Sequence, residues 1–190
     1  GIPLDAATPG IFQQIKGEGS GGFYQWDTHR KALQDAMIIL GKGRVTTHLI
    51  VGLGETEEEM CNTIQELTNE GIRVGLFAFT PVLGSGLANR EPPSYSQYWK
   101  IQLARHLIQK KGKHVSSFLF KNGKLKSFGI SKKELIKEIE KGIAFFTSGC
   151  PKCNRPYYNE RPGKTLYNFP RPIMLKEISL IKETILTYLE

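Results

Sequence analysis

The chain is 190 residues long, about one domain or slightly more, and its 39% of hydrophobic residues is enough to build a core, which excludes a disordered chain. Its 20 glycines and 10 prolines follow no period, which excludes collagen and points to structured loops. Lys and Arg number 26 against 18 Asp and Glu, and the surplus is local: residues 100–142 hold 12 basic and 3 acidic side chains, while the remainder is close to neutral.

The amino-terminal GIPLDAATPG has no initiator Met and no basic-then-apolar signal pattern. It reads as the end of a strand over residues 1–8 followed by a turn at Pro9-Gly10, so the chain is expected to be a fragment. EGSGG, 18–22, is a flexible loop. Asp27 is placed to cap a helix running to Leu40, with Leu33, Ala36, Met37 and Leu40 on one face and Gly41 and Gly43 ending it. VTTHLIV, 45–51, is β-branched, apolar and of strand length. After GLGET, Thr56 and Glu59 form a capping box. Glu57, Glu58 and Glu59 occupy the first turn of a helix that ends near Gly71. IRVGLFAFTP, 72–81, is the next strand. Strand, helix, strand in so short a span is a βαβ unit, so the two strands should be parallel neighbours in an α/β fold whose sheet is buried on both faces.

Ser94 or Ser96 starts a helix to about Lys111, with Tyr98, Ile101, Ala104, Leu107 and Ile108 as its apolar stripe. Asn122-Gly123 between two short runs signals a hairpin. Ser131 and Glu134 open another helix that ends near Gly142. Residues 145–173 have no period and are dense in Pro, Gly, Asn and Tyr, and a loop that long is functional or clamped. A last amphipathic helix covers about 174–189. No apolar run approaches the roughly 18 residues of a membrane helix, so no membrane partner is expected.

The basic window can face nucleic acid, an anionic membrane or an acidic protein, or be a solvated lysine surface. Strand-borne aromatics of an RNA platform are absent, so no nucleic-acid partner is expected and an acidic protein is preferred. Of the three cysteines, Cys61 sits at helical spacing from Ile64 and reads as a small core residue. Cys150-Pro-Lys-Cys153 places two thiols where both can face one metal or cluster iron, beside Lys152 and Arg155, which favour thiolate. A thioredoxin-type pair needs a helix opening at the first Cys, which Asn154-Arg155-Pro156 does not readily form. A zinc half-site would need two further ligands, with His106 or His114 as candidates. An iron–sulfur cluster completed by residues outside this chain is the preferred reading. A disulfide is chemically possible, but the composition suggests a reducing, cytoplasmic compartment.

The turn after the first full strand carries Gly52 and Gly54, where glycine admits close approach of a ligand and amides can read a ring edge. It is not a dinucleotide fingerprint, because position 57 is Glu rather than the third glycine. Asp5 ends the first strand on the side where α/β sheets bind ligands, where a carboxylate can accept from two ribose hydroxyls or cap the following turn.

Leu4-Asp5-Ala6-Ala7-Thr8-Pro9, followed some forty residues later by HLIVGLGETEEE, resembles the second half of radical S-adenosylmethionine enzymes of the biotin synthase and lipoyl synthase group. Their fifth-strand motif is G-x-I-x-G-x-x-E, and this chain has H-x-I-x-G-x-x-E with His48 in the first position. FFTSGCPKCNRPYYNERPGKTLYNFPRP resembles the carboxyl-terminal signature of radical enzymes related to the two-subunit lipoyl synthases.

The resemblance implies a partial (β/α)6 barrel whose later half is residues 1–111, with residues 112–190 as an extension carrying the CxxC loop. It implies S-adenosylmethionine contacts at Asp5 (ribose), His48, Ile50 (adenine packing) and Gly52 (close approach), with Glu55 tying the turn. Cys150 and Cys153 would hold an auxiliary 4Fe–4S cluster, with Asn154, Arg155 and Tyr157 shaping that site. In the complete enzyme a 5′-deoxyadenosyl radical would abstract hydrogen from an octanoyl chain on an acidic lipoyl carrier protein, and the second cluster would supply sulfur. A second synthase subunit is the other implied partner. Biotin synthase-like chemistry, methyl transfer and a zinc-clamped binding module are the alternatives. The family's C-x-x-x-C-x-x-C loop has no counterpart among cysteines at 61, 150 and 153, so this chain by itself should not start the reaction.

Overall fold

A computed structural model describes residues 1–147 and 164–189. The chain divides into two compact units, Gly1–Pro93 and Ser94–Glu190. The helix at 95–111 therefore belongs with the second unit, whereas the sequence reading grouped it with the residues before it.

The first unit is α/β. Its elements in order are α1 (Pro9–Ile15), α2 (Trp26–Leu40), β1 (Thr46–Val51), α3 (Glu57–Asn69) and β2 (Arg73–Ala78). β1 and β2 pair in parallel, with Thr46 opposite Arg73 and Val51 opposite Ala78, as the short βαβ spacing requires. The capping box forms as the sequence predicts: the Thr56 hydroxyl accepts from the Glu59 amide at 3.1 Å, and the Glu59 carboxylate accepts from the Thr56 amide at 2.7 Å. Met60, Cys61, Ile64 and Leu67 of α3 are fully buried, as are Leu49, Val51 and Leu76 of the strands.

Five expectations change in this unit. The sheet is not buried on both faces: β1 alternates, with Thr47, Leu49 and Val51 inside and Thr46, His48 and Ile50 half-exposed. Residues 1–8 do not form a regular strand. Asp5 takes a left-handed φ of 64°, so only one parallel bridge, Asp5 to Leu49, forms beside β1. Around it the Thr47 hydroxyl substitutes for the ladder, accepting from the Leu4 amide at 3.0 Å and donating to the Ile2 carbonyl at 2.7 Å. The expected turn at Pro9-Gly10 is the start of α1: Thr8 caps it by accepting from the Ile11 amide, and Pro9 supplies a preset φ where no amide donor is needed. Helix α2 starts two residues early, with Gln25 at the N-cap position and no side-chain cap, which leaves Asp27 in the first turn rather than at the cap. Of its expected inner face only Leu33 is fully buried, and Leu40 is exposed.

The second unit contains α4 (Tyr95–Lys111), the hairpin β3 (Leu119–Lys121) and β4 (Lys124–Ser127), α5 (Lys132–Glu140) and α6 (Leu175–Leu189). Ser94 and Ser131 cap α4 and α5, each accepting from the amide three residues on. Asn122 and Gly123 both have positive φ, which gives the hairpin a turn of the primed kind. Helix α4 is central to this unit. Its stripe of Tyr98, Ile101, Ala104, Leu107 and Ile108 is buried, and so are Trp99 and Leu103 beyond it, because α6 and the turn at Ile143–Phe145 also pack on it. The chain returns to α4 after residue 163: Tyr95 Oη donates to the Thr165 carbonyl at 2.9 Å and Trp99 Nε1 to the Tyr167 carbonyl at 3.2 Å. Asn168 is buried, accepting from Gln102 Nε2 at 2.7 Å and paired with Tyr98 Oη at 3.0 Å. Phe146 and Phe169 form a parallel bridge, so Thr147 and the 165–169 segment are held together. Among the described residues no helix is long and apolar enough to cross a membrane.

Candidate functional site at the end of the parallel pair

β1 and the segment beside it bring Asp5, His48 and Ile50 together. The Asp5 amide donates to the His48 carbonyl at 2.8 Å, and the Ile50 amide donates to the Asp5 carbonyl at 2.7 Å. Both backbone groups of Asp5 are thus locked to β1, which holds its uncommon φ in place. The His48 ring lies on the half-exposed face, edge-on to Phe77 with centroids 5.0 Å apart. A Cβ at Gly75, opposite it, would stand 3.1 Å from His48 Cδ2, so a side chain there would press on the imidazole. Burial holds the His48 imidazole below its ordinary pKa against the opposing charge of Asp5, so the neutral ring is favoured.

The Asp5 carboxylate has a partner the sequence reading did not identify. Lys16 Nζ, just past the end of α1, sits 2.8 Å from Asp5 Oδ2 and 2.9 Å from the Pro3 carbonyl. It also lies over the rings of Phe12 and Tyr24, 5.7 and 5.5 Å from their centroids. The only available signal was the α1 cap at Thr8-Pro9, which places Lys16 one turn beyond the buried Phe12.

Gly52 and Glu55 sit at the carboxyl end of β1 and serve each other. The Glu55 carboxylate accepts from the Gly52 amide at 2.7 Å and from the Leu53 amide at 2.9 Å. Burial raises the Glu55 pKa, while the amides of Gly52, Glu55, Leu53 and Gly54 pull it down. This corrects one expectation: these amides are occupied by the protein's own carboxylate and do not face outward to read a ring edge. Gly52 has an internal reason as well. Its φ is 103°, and a Cβ would stand 2.8 Å from Pro93 Cδ.

Cys150 and Cys153, with Asn154, Arg155 and Tyr157, lie outside the described residues. Cys61 is buried in α3. The two histidines considered as zinc ligands are otherwise engaged. His106 is buried with Nε2 3.5 Å from Glu138 Oε2, and His114 Nδ1 pairs with Ser116 Oγ at 2.8 Å. Among the described residues no three His, Cys, Asp or Glu side chains converge as a metal site.

In the basic window all three carboxylates are paired internally: Glu134 with Lys113, Glu138 with Lys111 and Lys141, and Glu140 with Lys182. Lys121 and Lys124 face each other across the hairpin, and Lys126 follows two residues on, on the same face. Among the described residues none of these three has a carboxylate within ion-pair distance.

No family model, no curated protein and no solved structure matches this chain.

Proposed function

We propose that this chain is the carboxyl-terminal part of a radical S-adenosylmethionine enzyme, most like the two-subunit lipoyl synthases, acting in sulfur insertion into an octanoyl chain on a carrier protein. In that reading β1 and β2 are adjacent strands of a partial (β/α)6 barrel, and their half-exposed face is its lumen. The observation that carries the reading is Asp5, a carboxylate residue whose backbone is fixed by two hydrogen bonds beside the carboxyl half of a parallel strand, next to a neutral imidazole and a half-exposed Ile50. That set suits a nucleoside: Asp5 would accept from ribose hydroxyls, while His48 and Ile50 would offer ring and aliphatic surface to the base. Gly52 and Glu55 fit the group only indirectly, by shaping the turn, because the Gly52 amide and the Glu55 carboxylate are already paired. Cys150 and Cys153 would hold the second cluster. When bound, the clusters and S-adenosylmethionine supply hydrogen abstraction and sulfur, and this chain contributes the nucleoside contacts and two thiolates. The hairpin lysines, which have no ion-pair partner among the described residues, suit an acidic lipoyl carrier or a second synthase subunit.

Anaerobic reconstitution of the full-length protein with iron and sulfide tests the proposal. The expected product is brown, contains acid-labile sulfide, and loses part of its iron in the double variant Cys150→Ala/Cys153→Ala. Asp5→Ala should weaken S-adenosylmethionine binding at least tenfold. Stoichiometric zinc that survives in air, with no affinity for S-adenosylmethionine, would replace the enzyme by a zinc-clamped binding module.

A further inference from the structure

The Asp5 carboxylate does not stand alone, and that constrains how it can meet a ligand. Its Oδ2 is 2.8 Å from Lys16 Nζ. Lys16 has little freedom: the Pro3 carbonyl accepts a second of its hydrogen bonds at 2.9 Å, and the rings of Phe12 and Tyr24 lie beneath the ammonium. Tyr24 is itself edge-on to His29, as is Phe12, so the aromatic seat is braced from α2. The Lys16 and Asp5 side chains are 17% and 24% exposed, shielded enough that the pair is more than a solvated surface contact. Among the described residues no donor reaches Oδ1.

We infer that Lys16 is a positioning residue for the nucleoside site: it holds Oδ2 of Asp5 so that the carboxylate presents Oδ1, in one orientation, to a ribose hydroxyl. This inference rests on the proposed function. The backbone of Asp5 is fixed by β1, but nothing in β1 fixes its side-chain rotation. Lys16 does that, from an element separate from the strand. A carboxylate with one oxygen already committed offers fewer acceptor positions than the pair of ribose contacts first expected of it. It also meets the ligand without having to reorganise.

Calorimetric titration of the full-length protein with S-adenosylhomocysteine, which binds without reacting, tests this. Lys16→Met is expected to weaken binding 10- to 100-fold, and Lys16→Arg to restore it to within about threefold of the unsubstituted protein. In an Asp5→Asn background Lys16→Met should add less than twofold, because its effect passes through Asp5. A merely structural lysine would lower affinity equally in both backgrounds, and that additivity would overturn the inference, as would unchanged affinity in a folded Lys16→Met. Circular dichroism melting confirms folding, and Lys16→Arg keeps the test open should Lys16→Met not fold. Absence of any binding to the unsubstituted protein would reject the nucleoside reading of the site, and the role of Lys16 with it. Tight binding that ignores Lys16 would leave the nucleoside reading standing and reject the inference alone.

Discussion

Asn168→Ala should unfold the second unit well before its other elements weaken. The Asn168 side chain is 1% exposed and answers two buried groups, Gln102 Nε2 at 2.7 Å and Tyr98 Oη at 3.0 Å. Truncation leaves both without that partner, away from water. A stranded buried donor costs about 1–3 kcal/mol, and Gln102 Nε2 becomes one, so the loss is about 1–3 kcal/mol. For a unit of about a hundred residues, 1 kcal/mol moves the melting point by about 4–8 °C, so the expected loss is about 4 °C or more. Urea and thermal unfolding followed by near-ultraviolet circular dichroism measure it, since Tyr98, Trp99 and Tyr167 report on this packing. Tyr98→Phe alone removes one side of the network. Combined with Asn168→Ala it should cost less than the two single losses together, because both delete the same bond. A loss under about 0.5 kcal/mol, or strict additivity in the double variant, would refute the idea that this network fastens residues 165–169 to α4.

Three further outcomes follow from the geometry. Gly52→Ala should destabilise the first unit by about 2–4 kcal/mol through its positive φ and the contact with Pro93, and Pro93→Ala in the same chain should recover part of that loss in a urea melt. Because burial raises the Glu55 pKa, the folded state holds that proton more tightly than the unfolded chain. Its stabilising share is complete below the ordinary Glu value and is lost as pH rises through the raised one, and Glu55→Gln should flatten the stability–pH curve across that window. The triple variant Lys121→Glu/Lys124→Glu/Lys126→Glu should keep its melting point within a few degrees, yet slow association with an acidic carrier protein about tenfold or more at low ionic strength. The difference should vanish near 1 M salt, and stopped-flow rates independent of the substitution would discard the hairpin as a docking surface.

Local chemistry made most elements legible from the residues alone. Thr56 and Glu59 announce α3, Ser94 and Ser131 announce α4 and α5, and Asn122-Gly123 announces the hairpin, because each signal acts over three or four residues and needs no distant partner. The parallel pairing of β1 and β2 was equally readable, since a connection of that length leaves no other arrangement. Helix α1 was missed although its signal was present: Thr8-Pro9 is a cap and a first helical residue, but Pro9-Gly10 also spells a turn, and burial of Phe12 decides between them. Tertiary packing alone determined the rest. That Asp5 is joined to Lys16, that the amides of Gly52 and Leu53 belong to Glu55, and that Asn168 closes on Tyr98 and Gln102 are matters of where side chains from distant segments meet. Residue type sets what each group can bond, but which partner reaches it first depends on a backbone path through space. A left-handed Asp5 or a glycine pressed against Pro93 leaves no mark in the order of the residues.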